Sequence, residues 1–271
     1  MKIKAPFGVS RIAAAACALF IVAGAVSASA GNLFVTDTGH SIVFRFASKG
    51  QRQALASVYS AEGIAFNSSG ELYVSDFYES IIYKVGPTGI TAFASGDLVS
   101  NTSALAFDQS DNLFVAHNGI DPGISKIAPD GTISVFVADL EPTGLAFDSE
   151  GNLYASDFNS NTVVKYAADG TGTTFAEGFG QPVGVAFDGA GNLFVTDLLA
   201  GTISKITPDG TKSTFASGLS LPQGLAFDSS GNLFVANQRN IIEYAPDGTR
   251  TTFATGLLPV NLAFRPSVRG N

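Results

Sequence analysis

Apolar and polar residues alternate along this chain in short runs, not in helical stripes. Gly224-Leu225-Ala226-Phe227 is followed by a polar turn, Asp228-Ser229-Ser230-Gly231. A second apolar run, Asn232 to Ala236, leads through Asn237 to Asn240 into a third, Ile241 to Tyr244. Pro246-Asp247-Gly248 then precedes Thr251-Thr252-Phe253-Ala254. Alternation over runs of this length, bounded by Gly, Pro, Asp and Asn, predicts four short strands joined by tight turns. With period two, Leu225 and Phe227 share one face of the first strand and Ala226 takes the other. In the turns, an Asp carboxylate bonds back to the main chain, Pro presets φ and Gly accepts positive φ. The fourth run is rich in Thr, which suits a partly exposed strand.

The unit recurs six times. Its second strand opens as GNLF at Gly31, GELY at Gly70, DNLF at Asp111, GNLY at Gly151, and GNLF at Gly191 and Gly231. Successive copies start 39, 41, 40, 40 and 40 residues apart. Four strands in a period of about 40 residues predict an all-β fold, a six-bladed β-propeller. The first copy, Asn32 to Asp37, lacks a preceding first strand. Asn261-Leu262-Ala263-Phe264, at the other end, is a first strand with nothing after it. One C-terminal strand is therefore expected to join three N-terminal strands in blade one, closing the ring and hiding a sheet edge.

Residues 1–30 read as a secretory signal peptide: Lys2, Lys4 and Arg11, an apolar run from Ile12 to about Val26, then Ala28-Ser29-Ala30. Cys17 does not make a lipoprotein signal, because it follows Ala14-Ala15-Ala16 and most of the apolar run lies after it. The expected mature chain, 31–271, is one propeller domain, exported to the periplasm or beyond, monomeric and free of cysteine. It carries no transmembrane segment, since no other stretch reaches about 18 apolar residues. Removing three of the 15 basic residues leaves 12 against 23 acidic ones, a balance of −11. With no basic cluster, nucleic acid and anionic membranes are disfavoured as partners.

The phrase P-x-GLAFD-x-x-GNLYV-x-D resembles the NHL-repeat family. It is also similar to the regucalcin/gluconolactonase family and, more loosely, to the virginiamycin B lyases. The gluconolactonase resemblance implies a divalent metal at one mouth of the central channel, held by a Glu, an Asn and an Asp that each sit just before a first strand. Those positions here hold Glu62, Ser103, Thr143, Val183, Gln223 and Val260. Glu62 alone matches, which leaves it as the one metal and catalytic candidate at that ring. One carboxylate is a poor hard-cation site, so no cofactor is expected, a channel-mouth divalent cation being the alternative. The lyase resemblance implies an LWFTE-like second strand. The chain has no Trp, and no second strand ends in Glu.

A second ring, where the second strands end, holds Asp37, Asp76, His117, Asp157, Asp197 and Asn237. Regular Asp at this place reads as turn chemistry. His117 breaks the pattern in the blade with the longest connection, which also carries Asn118 and Asp121, and is the other catalytic candidate. His40 lies in the equivalent connection of blade one. The leading expectation is a non-enzymatic binding propeller for a protein, peptide or glycan. Its face would be built from Glu62, Ser103, Thr143, Gln223, His117, Asn118 and Asp121, because these loops vary while the opposite turns repeat. The alternative is a divergent metal-dependent hydrolase or lyase at the channel mouth.

Overall fold

Each copy of the repeat becomes one four-stranded antiparallel sheet, and six such sheets stand around a central axis. This is a computed structural model describing residues 32–47 and 50–265. The expected signal peptide lies outside the described residues. Blade six illustrates the rest. Its strands run Pro222–Phe227 innermost, then Leu233–Asn237, Asn240–Tyr244 and Arg250–Thr255 outermost. Among the described residues the only helical turn is the 3₁₀ segment Asp97–Val99.

Ring closure is as the sequence predicts. Pro259–Phe264 pairs antiparallel with Leu33–Asp37, matching Leu33 to Phe264, Phe34 to Ala263 and Val35 to Leu262. The N-terminal Ile42–Phe46 and Arg52–Ser57 complete blade one.

The alternation read from Leu225-Ala226-Phe227 is realised as two faces meeting different neighbours. Leu225 and Phe227 pack with Phe194 and Phe215 of blade five. Ala226 turns the other way, toward Phe234 and the blade-one residues Leu33 and Val35. At this interface Phe194 stands edge-on to Phe215 in its own blade (5.1 Å) and to Phe227 in the next (5.0 Å). Tyr73, Phe114, Tyr154 and Phe234 repeat the arrangement. Lys84, Lys126, Lys165 and Lys205 each lie over the aromatic ring directly across the strand pair. Each edge-to-face pair adds about 0.5–1.5 kcal/mol beyond its buried area. The abundant Phe is thus the mortar between blades.

The D-x-x-G-N turn explains the rest of the repeated phrase. Asp228 Oδ1 accepts from the N–H of Ser230 (2.8 Å) and Asn232 (2.9 Å), and Asn232 Nδ2 donates to Asp228 Oδ2 (2.8 Å). Gly231 sits at φ 82°, open to glycine without strain. Blade two exchanges the roles: Asn67 Oδ1 accepts from Glu71 N–H, and Asn67 Nδ2 donates to Glu71. These turns and the PDG turns lie at one end of the barrel of blades. Register places the start of each inner strand beside the end of the second and the start of the third, as in Ala61 opposite Asp76 and Asp76 opposite Ile81. That other end is the loop face.

Candidate functional site at the channel mouth

The sequence places Glu62, Ser103, Thr143, Val183, Gln223 and Val260 just before the inner strands. In the structure each inner strand begins one residue earlier, as in Ala61–Phe66 and Pro222–Phe227, so these six are second residues of strands. All are half-buried around the loop-face mouth of the channel.

Two of the polar members are engaged in the scaffold. Ser103 Oγ donates to Pro142 O (2.8 Å) and Thr143 Oγ1 to Pro182 O (2.9 Å), each tying its blade to the next. Elsewhere that tie comes from the residue before the ring Asp: Thr36 to Glu62 O (2.8 Å), Ser75 to Thr102 O (3.3 Å), Thr196 to Gln223 O (2.6 Å). In blade three that residue is Ala116, and Ser103 supplies the hydroxyl instead. Glu62 and Gln223 are not used in this way.

Glu62 is electrostatically unusual. Burial at the mouth, then repulsion from Asp76, push its carboxyl up to about 7, and no hydrogen bond to a described residue offsets them. A pKa raised on folding means that ionisation opposes the fold. The penalty is absent below about pH 4.5, grows as pH rises through that value, and is complete above about 7. The shift corresponds to at most about 3 kcal/mol, and water at the mouth reduces this. Glu62→Gln should therefore be more stable than the parent by about 1–2 kcal/mol at pH 8.5 and equal to it at pH 4, by urea unfolding. Parallel pH dependences in the two proteins would contradict this reading of Glu62.

The second ring is occupied with loop backbone. Asp76 accepts from the N–H groups of Ser60, Tyr78 and Glu79 at 3.0–3.2 Å. Asp37 accepts from His40 N–H and pairs with His40 Nδ1 at 2.9 Å. Asp157 accepts from the N–H of Asn159 and Ser160. Burial alone would raise Asp197, but N–H donors from Ala200, Gly180 and Gln181 outweigh it and hold its pKa low. His117 is 2% exposed, and its Nε2 meets Ser125 Oγ at 3.0 Å while Nδ1 has no partner among the described residues. Burial lowers its pKa, with nearby Asp121 opposing. Neighbouring Asn118 bonds Pro142 O through Nδ2 (3.1 Å). Asp121 itself is exposed.

The residue that sequence reading passed over is Asn261. It stands where four inner strands carry Gly63, Gly144, Gly184 or Gly224 and one carries Ala104. From there Asn261 Nδ2 reaches across the channel to Ser103 O in blade three (3.1 Å). What remains on the axis is a cavity of about 70 Å³, lined by Ile64, Leu145, Val185 and Asn261 among others. That has room for a few waters, whereas metabolite sites run to about 300–1,000 Å³. Among the described residues no three His, Cys, Asp or Glu side chains converge as a metal-binding group. A divalent ion at Glu62 would find one carboxylate, since the oxygens of Asp76 already serve three backbone donors. The Asn and Asp of the gluconolactonase set are missing, and the donor set does not fit that ion.

No protein-family model matches the chain, and no curated protein matches it in sequence. Solved structures do match its shape. The structure of a nidogen/laminin complex aligns at TM-score 0.78 with 20% identity, over 87% of this chain and 98% of that one. A virginiamycin B lyase from Staphylococcus aureus aligns at 0.67 with 15% identity, over 88% and 87%. A candidate gluconolactonase aligns at 0.68 with 18% identity, over 84% and 86%. Identities this low carry the fold and not the chemistry. On that level the resemblance read from the repeats holds: this chain is a six-bladed β-propeller with the shape of lyase, gluconolactonase and protein-complex propellers.

Proposed function

We propose that this protein is an exported, monomeric, non-enzymatic propeller that recognises a protein on its loop face. The carrying observation is where the apolar surface lies. Of seven large hydrophobic residues exposed among the described residues, six are on the loop face: Tyr59, Tyr78, Ile120, Leu199, Leu221 and Leu258. Exposed apolar groups gathered on one face mark interaction surfaces. The narrow channel beneath them supports a partner that lies across the mouth over one that enters it. A propeller of similar shape in a nidogen/laminin complex is consistent with protein binding. The test is site-specific photo-crosslinking in the exported fraction of the source cells, with a benzophenone amino acid in place of Tyr78 or, on the opposite face, of Asp209. A discrete adduct from the Tyr78 position alone is expected. Adducts only from the Asp209 position would overturn the proposal.

The second reading, a hydrolase or lyase at the mouth, is favoured by one observation. A carboxyl poised near 7 suits acid–base work. It is tested by aldonolactone hydrolysis with and without zinc, calcium or manganese. Metal-dependent turnover that Glu62→Gln abolishes would promote this reading; no turnover is expected.

A further inference from the structure

The apolar residues of the loop face are not spread evenly, and neither are its charges. Leu199 lies in blade five, Leu221 and Leu258 lead into blades six and one, and Tyr59 and Tyr78 flank blade two. Tyr59 and Tyr78 stand 6.3 Å apart, centroid to centroid, both about 70% exposed. These side chains form a crescent over blades five, six, one and two. Ile120, 86% exposed, sits beyond its end in blade three. The complementary sector is acidic. Glu79, Asp97, Asp121, Asp139, Glu141 and Glu177 lie in connections running from blade two to blade five. All are exposed except half-buried Glu141. Unlike the ring aspartates, these carboxylates are not consumed by loop backbone. Within the twelve loop-face connections the only Lys or Arg is Arg239, on the apolar side, and His40 is paired with Asp37. Two cations reach the face from outer strands and are tied to its carbonyls: Lys212 to Glu177 O and Gly178 O, and Arg52 to Gly256 O.

We infer that the loop face docks a cationic polypeptide segment, one that seats apolar side chains on the Leu199–Tyr78 crescent and directs Lys or Arg toward the Glu79–Glu177 sector. This rests on the binding reading above and adds the chemistry of the partner. The warrant is complementarity. Six carboxylates outnumber the cations of this face, of which Lys212 and Arg52 are already tied to loop carbonyls, so the face repels acidic partners and steers basic ones, while the apolar crescent supplies the contact that holds them. A neutral glycan would leave the acidic sector without a role. A second copy of this chain would bring a loop face equally rich in carboxylates, not the cations this sector lacks.

The probes are three synthetic peptides of about 16 residues: one of Leu and Lys spaced by Ser, one with Glu for every Lys, one with Ser for every Leu. Backbone amide shifts of the labelled protein locate binding, and calorimetry measures it. The Leu/Lys peptide should bind saturably, with shifts at residues 58–60, 76–80, 97–101 and 197–201. Its affinity should fall about tenfold or more between roughly 50 and 300 mM salt. The Glu peptide should not bind, and the Ser peptide should bind at least about tenfold more weakly. Glu79→Lys with Asp97→Lys, or Leu199→Ser with Leu221→Ser, should each weaken the first peptide about tenfold at unchanged melting temperature, because all four residues are exposed or in loops. The inference fails if no peptide saturates, if the Glu peptide binds as well, or if shifts fall on the D-x-x-G turns. It also fails if a neutral oligosaccharide occupies Tyr59 and Tyr78, or if sedimentation shows a dimer burying this face. Peptide failure beside a Tyr78 crosslink would sink the partner chemistry alone; failure of both would sink the binding reading as well.

Discussion

A chain lacking Val260 to Asn271 should have no cooperative thermal transition. The segment contains nearly all of the innermost strand of blade one, Pro259–Phe264. Leu262 is buried among Leu33, Val35 and Phe234; Phe264 packs on the same cluster, while Ala263 joins the next interface. Losing a core Leu and a Phe costs about 5–10 kcal/mol from the two side chains together. That rivals the whole stability of a typical domain, about 5–15 kcal/mol. The ring also opens, exposing the edge of Leu33–Asp37 and the flanks of two blades. Circular dichroism during heating checks this. A truncated chain melting within about 5 °C of the intact one would show that the ring does not depend on its closing strand.

Gly144→Ala should cost about 2–4 kcal/mol, a large effect for one methyl group. A Cβ built at Gly144 falls 2.2 Å from the backbone oxygen of Val183 in the next inner strand. Backbone cannot rotate aside as a side chain can, so blades four and five must separate along their whole inner seam. For a domain of this size the melting temperature should drop by about 5–15 °C. Gly189→Ala is the matched control. Nothing lies within 4 Å of its Cβ and its φ is not positive, so a change below about 0.5 kcal/mol is expected. Equal effects at the two positions would refute close approach as the reason for glycine around the axis.

The fold was legible because every blade repeats the same solution, and errors in one copy are corrected by five others. Closure was readable from an unpaired strand at each end. The mouth was only partly legible. Glu62 and the ring aspartates could be found by position, but Asn261 could not, since it occupies a packing slot held by glycine or alanine elsewhere. Its role depends on reaching across the axis, which no local pattern encodes. Ser103 and Thr143 read as free polar groups; their hydroxyls bind the next blade because blade spacing sets a carbonyl within reach. The apolar crescent was hidden for a different reason. Leu257 and Leu258 are adjacent and identical, yet Leu257 is 2% exposed and Leu258 42%. Only the loop's path decides which leucine plugs the blade interface and which faces water. The raised pKa of Glu62 likewise depends on burial that composition does not report.

The function proposed for the channel mouth is recognition and not metal chemistry, and calorimetric titration of zinc, calcium and manganese tests that most directly. With one carboxylate and no converging Asn or Asp, saturable binding tighter than about 1 mM is not expected, and Glu62→Gln should give the same trace. One-to-one binding in the micromolar range, abolished by Glu62→Gln, would contradict the account and place catalysis back at the mouth.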